Sequence, residues 1–79
     1  MITLKNIKKS NDVIECEIIP EDSGETGYMI VRLDTKEIEN VRLPKGYEWC
    51  RNHIGHAKTA LLEISKYDDI PKEKLVMWN

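Results

Sequence analysis

At 79 residues, with 41% hydrophobic and only 6% aromatic side chains, the chain has material for one aliphatic core, a single domain over residues 1–79. It has little interior to spare for a deep catalytic pocket. A formal net charge of −2 gives no electrostatic drive toward nucleic acid, and no apolar run approaches the ~20 residues needed to span a bilayer. The charge is uneven: residues 1–40 carry five basic and nine acidic side chains, net −4, and residues 41–79 carry seven and five, net +2.

Ile2 to Lys8 reads as a first strand with Ile2 and Leu4 on one face, and Ile7 falls out of phase with them, which predicts a bulge or an early end. Lys5, Lys8 and Lys9 interrupt this apolar run, so it does not read as a secretory leader. The two cysteines are then expected as free thiols in a reducing cytoplasm. After the turn residues Ser10-Asn11-Asp12, Val13 to Ile19 alternates strictly. Ile14, Cys16 and Ile18 are expected to face the core, while Glu15 and Glu17 face water. Pro20 to Gly27 is acidic, carries two glycines and reads as an irregular loop. Its Gly24-Glu-Thr-Gly27 has the spacing of a phosphate-clamping loop, but the acidic neighbours Glu21, Asp22 and Glu25 would repel phosphate.

Tyr28 to Leu33 predicts a third strand with Met29, Val31 and Leu33 inward. A tight Asp34–Glu37 turn leads to a fourth, Ile38 to Leu43, buried through Val41 and Leu43. Connections this short require antiparallel neighbours. Gly46 to Lys66 is the only segment with sustained helical period. Cys50, Ile54, Ala57, Leu61 and Ile64 recur at steps of four and three and draw one apolar stripe. Pro44-Lys45-Gly46 opens this helix, Glu48 suits its positive end and Lys66 its negative end, and Asp68-Asp69-Ile70-Pro71 stops it. Leu75 to Trp78 reads as a returning edge strand, against the competing reading of a short helix capped by Asp69. The fold class predicted is α+β: an antiparallel meander of about four strands, one long helix on one face, and a C-terminal edge strand.

Beside the stripe, about a quarter-turn away, Trp49, His53, His56 and Ala60 form a second ridge. Cys50, His53 and His56 are all metal-capable, but Cys50 and His56 sit ~120° apart around a helix axis, so one helix offers only pairs of ligands. No metal and no cofactor is expected on that account. Cys50 with His53 also lacks a third group to orient the imidazole, so catalysis is not the favoured reading. Leu62 lies off the stripe, and Gly55 in mid-helix costs ~1 kcal/mol relative to alanine, which a close approach there would explain. Trp49, His53, His56, Ala60 and Leu62 are therefore the candidate interaction residues, with a metal- or thiol-dependent activity at Cys50, His53 and His56 as the alternative. The basic residues Lys45, Arg51, Lys58 and Lys66 make a weaker case for nucleic acid.

EDSGETGYMIVRLDTKEIE followed by GYEWCRNHIGHAKTAL resembles, across nearly the whole chain, small uncharacterised proteins of AT-rich Gram-positive bacteria, and nine lysines against three arginines suit that origin. The resemblance implies no activity for any residue. The expectation is a cytosolic protein-interaction or regulatory module whose partner is a protein, a homodimer through the helix flank or edge strand included, with no membrane and no nucleic acid.

Overall fold

In the computed structural model, which describes residues 1–21 and 23–78, five strands and one helix follow in chain order. They are β1 (Ile2–Lys9), β2 (Val13–Pro20), β3 (Gly27–Arg32), β4 (Ile38–Arg42), α1 (Arg51–Ile64) and β5 (Glu73–Val76). Asp22 of the acidic loop and Asn79 lie outside the described residues. All pairings are antiparallel and the spatial order is β4-β3-β2-β1-β5. The meander and the C-terminal edge strand are as the sequence predicts. α1 runs across one face and carries the chain from the β4 edge to the β5 edge.

Strand β2 sets the layers. Ile14, Cys16, Ile18 and Pro20 are buried and the residues between them are half-exposed, the period-2 pattern of a sheet with one covered face. Strand β1 would slip out of that pattern at Asn6, because alternation from Ile2 and Leu4 points Asn6 inward. The register shifts between Lys5 and Lys8, Asn6 takes a left-handed φ of 52°, and Ile7 enters the core at 6% exposure. Asparagine tolerates that backbone better than a branched side chain does, so the bulge falls one residue before the isoleucine it rescues. Ile2, Leu4, Ile7, Ile14, Cys16, Ile18, Met29, Val31 and Leu43 of the sheet side close against Ala57, Leu61 and Ile64 of α1. Leu33, Val41 and Ile54, also expected inside, pack against this cluster half-buried.

Gly27 belongs to β3 rather than to the loop. It is buried, and a Cβ there would overlap the Arg42 carbonyl oxygen and meet the Leu43 Cα at 2.9 Å. The glycine lets the end of β4 close onto β3.

The helix is shorter than its periodic segment. Residues 44–50 form turns instead, with the Tyr47 N–H donating to the Pro44 carbonyl at 3.0 Å and the Cys50 N–H to the Tyr47 carbonyl at 3.0 Å. Gly46 has φ 92°, which favours glycine and breaks the helical path. Glu48 therefore lies outside the first helical turn. Its carboxylate accepts from the Gly46 N–H, and the N–H groups of Glu48 itself, Gly46 and Tyr47 hold it below the usual carboxylate range. Lys66 likewise falls beyond the last turn. The cation at that end is Lys9, whose Nζ donates to the Ser65 carbonyl at 2.8 Å.

Candidate functional site

The helix flank facing β5 gathers the chemically versatile side chains, and three segments build it. Tyr47 arrives from the turn before α1, His53, His56 and Ala60 from the helix, and Trp78 from the residues after β5. Strand β5 pairs Ile2 with Val76 and Leu4 with Lys74 along the β1 edge, and the Ile7 N–H donates to the Lys72 carbonyl at 3.1 Å. That register brings the end of the strand back beside the helix. The predicted edge strand forms, but over Glu73–Val76 rather than from Leu75 to Trp78, and it closes the open edge of β1.

The indole of Trp78 then stacks on the imidazole of His56, with ring centroids 4.4 Å apart and planes 14° from parallel. His53 meets the same indole edge-on at 5.2 Å and 80°, and Tyr47 lies 5.9 Å beyond His53. These are the spacings at which offset stacks and T-shaped pairs contribute ~0.5–1.5 kcal/mol beyond area burial. His53 Nδ1 is buried and has no hydrogen-bond partner among the described residues. Burial first, then the amino group of Met1 and His56, lowers the His53 pKa, and Glu21 opposes them.

Of the candidate interaction residues, the structure brings together His53, His56 and Ala60. Trp49 sits just before the helix and stands 90% exposed. Leu62 is on the other flank, half-buried beside Leu33, Lys36 and Lys66, so it forms no part of the same surface. Gly55 has open space around the position of a Cβ, so none of the described residues accounts for the glycine. Sequence reasoning read Trp78 as the last residue of the edge strand and missed its ring contacts with both histidines. It also passed over Leu75 and Met77, which are 51% and 70% exposed. Leu75 pairs with Thr3 on the sheet face away from the helix, a placement the alternation of 73–76 already carries.

Between α1 and β5 a shallow hollow is lined by Ala60, Ile64, Tyr67, Val76 and Met77, with Glu63 and Lys74 at its rim. The uncovered face of the sheet is different in kind. Its central cross-strand row reads Glu73, Lys5, Glu17, Tyr28 and Arg42, with Lys5 Nζ 3.8 Å from Glu73, a solvated ladder of alternating charge.

Cys50 takes the N-cap position of α1, half-buried and without a side-chain cap hydrogen bond. Cys16 is buried. Desolvation first, then the carboxylates of Glu17 and Glu15, pushes its thiol up to about 12, which removes the thiolate at neutral pH. Among the described residues no group of three or more His, Cys, Asp or Glu side chains is placed to hold a metal ion. Lys45 lies in a hollow with Val41, Arg42 and Leu43 at the start of α1, and Lys66 lies beside Leu33 at the opposite end. A 14-residue helix is ~21 Å long, so these two basic residues do not converge on one phosphate. Among the described residues no helix is long and apolar enough to cross a membrane. Set against known proteins, the chain matches no family model, no curated sequence and no solved structure.

Proposed function

We propose that this chain is a small cytosolic protein-interaction or regulatory module that takes a protein partner, a second copy of itself included, along the α1–β5 side. What supports the reading above all is the exposure of Trp49, whose indole stands 90% in water in the turn just before α1. A tryptophan side chain carries ~150–250 Å² of contact area, so covering it contributes gross transfer energy on the order of 4–6 kcal/mol. Tryptophan is also the residue type that most often anchors an interface. Met77, 70% exposed just after the edge strand, adds to the apolar surface on this side. The placement of Cys50, His53 and His56 adds nothing to the metal- or thiol-dependent alternative.

The test compares wild type with Trp49→Ala and Met77→Ser. Both substitutions remove exposed side chains and are expected to leave the melting temperature within ~2 °C of wild type. Sedimentation velocity reads self-association, and quantitative affinity capture from a cytosolic extract reads other partners. A dimer or a captured protein lost in both variants supports the module. Equal sedimentation and equal capture across all three chains would remove the proposal.

A further inference from the structure

Tyr47, His53, His56 and Trp78 do something within the chain itself, whatever docks outside it. The contact surface between β5 and the rest of the molecule is small. The strand is four residues long, only Val76 of it is half-buried, and Leu75 faces away from the helix. Among the described residues beyond Val76, Trp78 makes aromatic contacts with both histidines of α1. One partner in that contact is an imidazole whose pKa burial lowers, and its buried Nδ1 has no hydrogen-bond partner among the described residues.

We propose that His53 and Trp78 form an acid-sensitive clasp: neutral His53 holds Trp78 and the end of β5 on the helix, and protonation of His53 releases them. In the neutral ring the buried Nδ1 can stand as a bare lone pair. In the imidazolium it carries an N–H with no acceptor among the described residues. The charged groups around it reinforce this. From its own helix His56 and from the start of β1 the amino group of Met1 disfavour a positive His53, and Glu21, after β2, favours one. Glu21 is already engaged with the Met1 amino group at 3.7 Å, so its negative charge is partly spent. The other rings against His53 are those of Tyr47 and Trp78, and the indole has no titratable group. His56 is the contrasting case: it lies flat on the indole face, where a cation is attracted by the ring quadrupole, so its protonation does not open the contact.

The sign follows from the lowered pKa of the folded state. Below the ordinary imidazole value near 6.5 the unfolded or unclasped chain binds more protons, so the clasp is fully present above that pH and is lost as pH falls below it. Release would uncover the half-buried His53 and Ala60, and would leave β1 with a shorter partner strand.

The experiment uses the full chain carrying Trp49→Phe, so that Trp78 is its single tryptophan. Acrylamide quenching of Trp78 is measured from pH 8 to pH 4.5, alongside circular dichroism to follow the remaining fold. The expected result is a Stern–Volmer constant that rises at least twofold with a midpoint below 6.5 while the helix signal stays. Adding His53→Phe, which keeps a ring and removes the proton, should hold the constant at its neutral-pH value throughout, and adding His56→Phe should leave the rise in place. The His53 Cε1 proton followed by NMR in the same chain should titrate with the same midpoint, a readout that does not depend on how well His53→Phe folds. A quenching constant that does not change with pH, a rise that persists with His53→Phe, or a His53 midpoint at or above 6.5 would overturn the clasp.

Discussion

Gly27→Ala and Gly55→Ala are the same chemical change, and the structure gives them opposite signs. At Gly27 the new methyl would overlap the Arg42 carbonyl oxygen and stand 2.9 Å from the Leu43 Cα and 3.0 Å from the Arg42 carbonyl carbon. All three obstacles are backbone, so no side chain can rotate away, and β4 would have to retreat by roughly 1 Å to reach ordinary C···O contact at ~3.3 Å. That retreat strains the pairing of Tyr28 with Arg42 and disturbs the buried Leu43. Overpacking costs ~1–3 kcal/mol where neighbours can adjust, and the rigid surroundings of Gly27 put the loss at or above ~3 kcal/mol. A chain of this length has a total stability of ~4–12 kcal/mol, so the loss is a large share of it. At Gly55 an added Cβ meets nothing within 4 Å on an exposed turn of α1, and helix propensity alone then adds ~1 kcal/mol. Urea melts monitored at 222 nm, with thermal melts beside them, check both. Gly55→Ala should raise the melting temperature by ~4–8 °C, and Gly27→Ala should lower it by more than ~12 °C. A neutral Gly27→Ala would mean that β4 does not close onto β3 as described, and a destabilising Gly55→Ala would mean that something packs on that face.

Three further outcomes rest on single residues. Leu61 is fully buried between helix and sheet, so Leu61→Ala should cost ~2–5 kcal/mol in urea melts, and a loss under 1 kcal/mol would put the stripe in solvent. In native protein at pH 8 a thiol reagent should label Cys50 well before Cys16, whose thiol stays protonated and enclosed. Mass spectrometry of peptides after a short pulse reads the difference, and equal labelling would contradict it. Asp34 is held to a pKa of about 2, first by the hydrogen bond from Arg32 and then by the Thr35 N–H. The contribution of an acid lowered in this way is present above its ordinary value near 3.8 and is lost as pH falls from there toward 2. Asp34→Asn should therefore flatten the pH dependence of stability between pH 4 and pH 2, and an unchanged slope there would show that the pair is not held in solution.

The legible part of this protein is the part governed by neighbours in sequence. Alternation in 13–19 places Ile14, Cys16 and Ile18 in the core, the phase error at Ile7 announces the bulge, and the four-and-three spacing from Ile54 to Ile64 marks the buried stripe. Short connections make the meander antiparallel. What lay beyond reach depends on which segments meet. The periodic pattern extends back to Gly46, but apolar spacing does not report backbone φ, and the positive φ of Gly46 starts the helix at Arg51. Gly27 looked like loop chemistry because its defining neighbours, Arg42 and Leu43, are fifteen and sixteen residues away and arrive only when β4 pairs. The ridge of Trp49, His53, His56 and Ala60 was visible as a helical spacing, yet its character was decided by Trp78, twenty-two residues beyond His56. The indole reaches the histidines because β5 adds to the free edge of β1 on the side of the sheet opposite β4. Local periodicity tells a chain which faces to bury, and only the pairing of distant strands tells those faces what covers them.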